Sequence, residues 1–223
     1  MEFIAIGIAA IVVIGLGLNF LGSNRRTMKK TPKTRIADAT EGVPVRITGV
    51  VELGDDVLNA PHSGRACAAF RLIVKREEVA ATGHASAGAV VVVAPVKMFK
   101  KVLDVTETRA FLVRDESGVA IVRTDALAID IDFDDEDQTG GFGEPSAGVK
   151  KLLDAAYVDT KKPWEMGNYR LRIREGVIEE GETVTVAGRG RFERGVGGER
   201  RLVMEAIERD GEVLVTDLER FHG

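Results

Sequence analysis

The chain begins with an unbroken apolar run, Phe3–Leu21, whose one polar side chain, Asn19, lies near its end. In helical form these nineteen residues, at 1.5 Å each, just cross a hydrocarbon core of about 30 Å, which predicts one transmembrane helix within residues 1–22. After Pro32 the pattern changes to alternating apolar and polar side chains, the mark of half-buried strands. Val43–Leu53, Ala68–Lys75 and the shorter Val90–Ala94 read this way. Phe111–Val122 reads as a hairpin, two apolar runs joined by Asp115-Glu116-Ser117-Gly118. Further strands are expected at 126–133, 169–174, 183–192, 200–208 and 212–217. Helical spacing is clear in Ser146–Tyr157, where Val149, Leu152, Leu153 and Ala156 share a face and Ser146 is placed to cap it. Glycine-rich Gln138–Gly148 and Ala80–Gly88 predict surface loops.

Two strands carry one signature, Gly42-x-x-Val45-x-Ile47-x-Gly49 and Gly181-x-x-Val184-x-Val186-x-Gly188. Each starts with a turn glycine and ends with a glycine where a twisted strand can bend. The expected fold is therefore mainly β, an OB-like small β-barrel or antiparallel sheet with one short helix, preceded by the membrane helix.

Charge sharpens this division. Only Glu2 precedes the apolar run, while Arg25, Arg26, Lys29, Lys30, Lys33 and Arg35 follow it. A cleaved signal peptide would carry its positive flank first, so the run reads as an anchor, and the asymmetry predicts an N-out, C-in single-pass topology. Residues 23–35 form a polybasic stem, either a topology signal or a contact for anionic lipid headgroups. Setting aside those six cations and Glu2 leaves 25 basic and 34 acidic residues in 36–223, a balance that argues against nucleic acid as partner of this soluble part. The lone cysteine, Cys67, excludes an internal disulfide and a Cys-rich zinc module.

Several segments invite chemistry. The run Asp130–Asp137 opens like a calcium loop, but its sixth position is Asp135 and its twelfth Gly141, where glycine and glutamate belong. As a strand, it would turn Leu127, Ile129, Ile131 and Phe133 to the core and Asp130 and Asp132 to solvent. Gly143–Lys150 has the outline of a phosphate loop without the lysine and hydroxyl where they are needed. His62 and Cys67 could form a base and thiol pair, yet Cys67 starts a strand and reads as a small buried side chain. Arginines around Gly195–Gly198 are diluted by glutamates and lack a stacking platform. No cofactor or metal is expected.

Four blocks in order, Ile36–Val51, Ala60–Arg71, Phe111–Ala120 and Glu175–Gly188, resemble the GIDE domain, also called BAM or "beside a membrane", of membrane-anchored RING-type E3 ubiquitin ligases and their prokaryotic relatives. The positions that carry the resemblance are Gly49, Pro61, Ser63, Gly64, Cys67, Asp115, Gly118, Glu175, Gly181 and Gly188. Ala68 and Ala69 stand where the family usually has aromatics. The resemblance implies a binding or scaffold domain, residues 36–223, held beside a membrane, with an unidentified protein partner. It does not extend to ligase activity, because a RING needs eight zinc ligands and this chain has one cysteine and three histidines. The RING-less architecture points to a prokaryotic plasma membrane. Three alternatives stay open: ubiquitin transfer with a RING supplied in trans, a Cys67/His62 hydrolase, and a lipid-surface sensor acting through the basic stem.

Overall fold

The computed structural model describes residues 17–81, 95–123, 127–162, 167–194, 200–207 and 212–222. Most of the apolar run, the expected strand Val90–Ala94, the glycines 195–198 and nearly all of the Ala80–Gly88 loop lie outside them. A helix, α1 (Gly17–Lys30), is followed by strands β1 (Pro44–Leu53), β2 (Leu58–Asn59), β3 (Ala66–Cys67), β4 (Ala69–Ala81), β5 (Pro95–Thr108), β6 (Phe111–Asp115), β7 (Gly118–Val122), β8 (Leu127–Asp130) and β9 (Asp135–Gly141). Then come α2 (Ala147–Ala155), β10 (Asn168–Ile178), β11 (Thr183–Arg194), β12 (Arg200–Glu205) and β13 (Val213–Thr216).

Five strands close a barrel in the ring order β1-β6-β7-β12-β11, with β11 returning to β1. The closing pair is formed by the two strands that share the glycine signature. They run antiparallel with Ile47 opposite Val186, Val45 opposite Gly188 and Gly49 opposite Val184. Gly42 and Gly181 adopt φ of +77° and +82°, a conformation that favours glycine, and their N–H groups donate to Gly190 O and Val51 O across the pair. A Cβ on Gly49 would stand 2.3 Å from Arg114 O, and one on Gly188 2.7 Å from Glu205 O, so neighbouring backbone occupies the space a side chain would need. The sheet is mixed, because β12 runs parallel to β7 and β13 parallel to β8. Alternation along β1 buries Val45, Ile47 and Val51 against Phe111, Val113, Val184, Val186, Leu202 and Met204.

A second sheet, ordered β5-β4-β10-β9, is built from two excursions out of the barrel. One lies between β1 and β6, the other between β7 and β11. Its inner face packs Phe70, Leu72, Val74, Leu171 and Ile173 against Val149 and Leu153 of α2. Ser146 caps that helix as expected, accepting from Val149 N. Ala68, Ala69 and Ile178 are completely or almost completely buried in the barrel core, at the root of the second sheet, where larger side chains would collide.

Four expectations need correction. The segment read as a loop from Gln138 is strand β9 as far as Gly141, with Gly140 so close to Arg170 that a Cβ would meet its Cγ at 2.4 Å. The strand expected at 126–133 is shorter: β8 ends at Asp130, and the next strand, β9, starts at Asp135. Asp130 does not face solvent but pairs with Arg25, and of the expected core side chains only Ile131 is fully buried. The helix of 147–155 is accompanied by a second, because the basic stem continues α1 to Lys30. The sheet is mixed instead of antiparallel. The long strand β5 was not expected, since Val74 opposes Leu103 while Lys75 opposes Lys101; the extra residue, Val102, is a bulge that breaks the period of two.

Candidate functional site

The second and fourth blocks of the family-like pattern meet at a buried carboxylate. Glu175 lies in the middle of β10 with no exposed surface. Its two oxygens accept the His62 and Ser63 N–H groups at 2.7 and 2.8 Å. Those residues belong to the tight turn Pro61–Gly64, which closes with Gly64 N donating to Ala60 O at 2.8 Å and Gly64 at φ +75°. Pro61 O accepts the Ser146 hydroxyl at 2.7 Å, and Gly148 approaches Pro61 so closely that a Cβ would lie 2.4 Å from the same oxygen. A buried carboxylate is tolerated only when its oxygens are satisfied, and here two backbone donors do so. Glu175 therefore fastens the Pro-x-Ser-Gly turn to the sheet and to α2.

Cys67, just beyond this turn in β3, is fully buried. Burial, and then the charges of Glu175 and Glu179, push its thiol up to about 11, so almost no thiolate exists near neutrality. His62 gives its backbone N–H to Glu175, and its ring Nδ1 is buried without a hydrogen-bond partner. This is the environment of a packing thiol, not of an activated nucleophile.

Arg65 leaves the turn outward and collects acids: Glu179 at 2.8 Å, Asp135 at 2.7 Å and Asp134 at 3.3 Å. Beside them, burial pushes Glu182 up to about 7 despite a hydrogen bond from Glu179 N, with the charges of Asp217, Asp134 and Glu179 adding to the shift. Burial likewise pushes Asp217 up to about 6, against the N–H of Asp132 that it accepts. The sequence reading missed Arg65 and these two acids; only the density of acids in 130–137 and 179–182 hinted at them.

The remaining expected positions separate into two places. Asp115 sits in the β6–β7 turn and accepts N–H bonds from Ile36, Ser117 and Gly118. Burial alone would raise its carboxyl, but these bonds outweigh that and lower it. Gly118 lies against Ile36, so this turn anchors the segment between stem and barrel. Gly49, Gly181 and Gly188 belong to the barrel seam.

The stem is docked to the domain. Met28 is 4 % exposed against Ala187, Leu214 and Phe221, worth about 1.5–3 kcal/mol of apolar burial. Arg25 holds Asp130 with two bonds of 2.5 and 2.9 Å. Lys29 lies 5.9 Å from the centre of the Phe221 ring, Lys33 donates to His222 O at 2.8 Å, and Arg35 pairs with Asp38 at 2.7 Å. Arg26 and Lys30 are exposed.

A cleft of about 260 Å³ opens between β9, α2 and β10, lined by Thr139, Glu144, Lys150, Asp159, Lys161 and Tyr169 among others. Among the described residues no group of three His, Cys, Asp or Glu side chains could hold a metal ion, and no helix is long and apolar enough to cross a membrane. Set against known proteins, the chain matches no family model, no curated protein and no solved structure.

Proposed function

We propose that this chain is a binding and scaffold module of the GIDE type, tethered beside a membrane with its folded part on the cytoplasmic face and without transfer chemistry of its own. The observation that carries the reading is the docked stem. The helix that continues the apolar run Phe3–Leu21 is fixed to the barrel through Met28 against Ala187, and to β8 at the edge of the same sheet through the Arg25–Asp130 pair. A span formed by that run would hold the barrel directly against the lipid surface, with no flexible spacer between them. The ring order, in which barrel strands one, two, three, five and four follow one another and the third and fifth run parallel, supports an OB-like barrel. The family-like residues serve this scaffold: Glu175 holds the Pro61–Gly64 turn, Asp115 holds Ile36, and three glycines shape the barrel seam. With its thiol buried, Cys67 is a poor ubiquitin acceptor.

Two measurements test the proposal. A reporter fused after Gly223 is expected to be active only in the cytoplasm, and activity on the far side would reverse the topology. The purified chain, given activating enzyme, conjugating enzyme, ubiquitin and ATP, is expected to build no chains. Chains lost in Cys67→Ser would overturn the scaffold reading and place the chemistry at that thiol.

A further inference from the structure

The hairpin β4–β5 is longer than the sheet that supports it. Its strands pair from Ala69 opposite Thr108 to Ala81 opposite Pro95, whereas β10 accompanies β4 only as far as Arg76. Beyond Arg76 the hairpin continues as a two-stranded ribbon, with no third strand beside β4 among the described residues. Val79, Val96 and Met98 are 63, 45 and 50 % exposed there. Register sets their directions. Val79 opposes Lys97 and points from one face, while Val96 opposes Ala80 and Met98 opposes Glu78, so both point from the other.

A protein partner laid on a ribbon covers one face; apolar side chains on both faces suit a medium that surrounds them. Lysines stand beside these side chains. Lys97, and Lys100 opposite Arg76, have side chains 65 and 68 % exposed. Lys97 and Lys100 reach Glu77 and Glu78 only at 3.7 and 3.9 Å, so those ammonium groups are loosely held. In sequence, no Asp, Glu, Lys or Arg occurs from Val79 to Val96.

We propose that this ribbon is a second membrane contact, in which Val79, Val96 and Met98 enter the boundary between headgroups and acyl chains of an anionic lipid surface while Lys97, and Lys100 at the foot of the ribbon, lie at the phosphate level. The inference rests on the tethered reading, under which a lipid surface lies beside the domain. Apolar side chains on an exposed ribbon are ordinarily a liability for aggregation, and insertion into lipid removes it.

The test uses the full chain in lipid nanodiscs of phosphatidylcholine with phosphatidylglycerol. Because Cys67 is fully buried, Val79→Cys or Met98→Cys can be labelled selectively with a polarity-sensitive fluorophore, and Val57→Cys, 37 % exposed in the connection after β1, is the reference site. Nitroxide-bearing lipid is expected to quench the probes at 79 and 98 by about half, and to leave the probe at 57 bright. Lys97→Ala and Lys100→Ala are each expected to weaken the contact by about fivefold in anionic discs and to change nothing in phosphatidylcholine alone. Ribbon probes that stay unquenched in discs containing the chain would overturn the inference and leave the tether intact. A chain that fails to enter discs defeats the tethered reading; the labelled protein mixed with vesicles of the same lipids then decides the ribbon separately, unquenched probes again overturning it. Brightening without lipid quenching, growing with two chains per disc, would assign the ribbon to a second copy and overturn it too.

Discussion

Replacing Glu175 tests whether the Pro61–Gly64 turn is held by one buried group. In Glu175→Gln one carboxylate oxygen becomes an NH2 that faces a backbone donor, so either His62 N or Ser63 N loses its acceptor in a place water does not reach. A hydrogen bond to a buried charge is worth about 1.5–3 kcal/mol, and for a chain of this length that corresponds to a fall in Tm of roughly 3–12 °C. Glu175→Ala strands both donors and leaves a void, costing about 3–6 kcal/mol, a large share of the usual 5–15 kcal/mol of a whole domain. The assay is thermal unfolding followed by circular dichroism, paired with alkylation of Cys67, which lies just past the turn and is shielded while the turn is closed. Glu136→Gln, on the exposed side of β9, is the matched control. Labelling is expected to accelerate in Glu175→Gln and not in the control. If Glu175→Gln melts within about 1 °C of the unaltered chain and its thiol stays equally shielded, the fastening role of this carboxylate is refuted.

Other expectations follow from neighbouring geometry. Glu182 and Asp217, raised to about 7 and about 6 from ordinary values of 4.5 and 3.8, favour folding in their protonated forms, so their stabilisation is complete below about pH 4 and lost as pH rises through 6 to 7. Asp104 and Asp115 act oppositely: burial is outweighed by Arg71 and Lys101 at the first and by N–H donors at the second, their carboxyls are lowered, and their contribution disappears in acid. Tm should therefore peak near pH 5, and Glu182→Gln should remove about 1–2 kcal/mol of the decline towards pH 8; a decline unchanged in that variant would contradict the assignment. Met28→Ala should cost about 2 kcal/mol and speed tryptic cleavage at Arg25–Lys30 by about thirtyfold, read by mass spectrometry, with an unchanged rate showing that α1 is not docked there. Gly49→Ala should cost about 1–3 kcal/mol because Arg114 O already occupies the space, whereas Gly42→Ala, with nothing within 4 Å, should cost only its strained φ, about 1 kcal/mol; equal losses in denaturant unfolding would show that the close approach at Gly49 is not limiting.

What could be read from the sequence was whatever depends on local repetition. Alternation located β1, β6, β7 and β11, and the paired glycine signature marked two strands that proved to be each other's partners across the barrel seam. Helical spacing and a serine cap located α2 within a residue or two. Strand β5 escaped because Val102 shifts the phase of its alternation, and β9 because Gly140 serves the close approach of Arg170 instead of a turn. Of the candidate site, Glu175 was visible as a motif position, but its burial beneath residues 62 and 63 depends on a pairing across more than a hundred positions, which no local pattern encodes. Arg25 was read as a lipid contact from its neighbours in sequence, whereas its carboxylate partner, Asp130, comes from the far side of the chain.

The barrel seam joins Pro44 to Arg189 and Val50 to Thr183, so the strand made first among the five waits for one made more than a hundred residues later. Until then β1 has only β6 as a barrel neighbour, and its other edge stays unpaired. Such long-range closure is slow compared with local hairpins and leaves an open sheet edge during that interval. An anchored nascent chain would spend this period with β1 thirteen residues beyond a basic helix at the lipid surface, away from other unfinished copies in bulk solution. Under the proposed tether, the order in which these strands leave the ribosome would make the anchor a folding aid as well as an address.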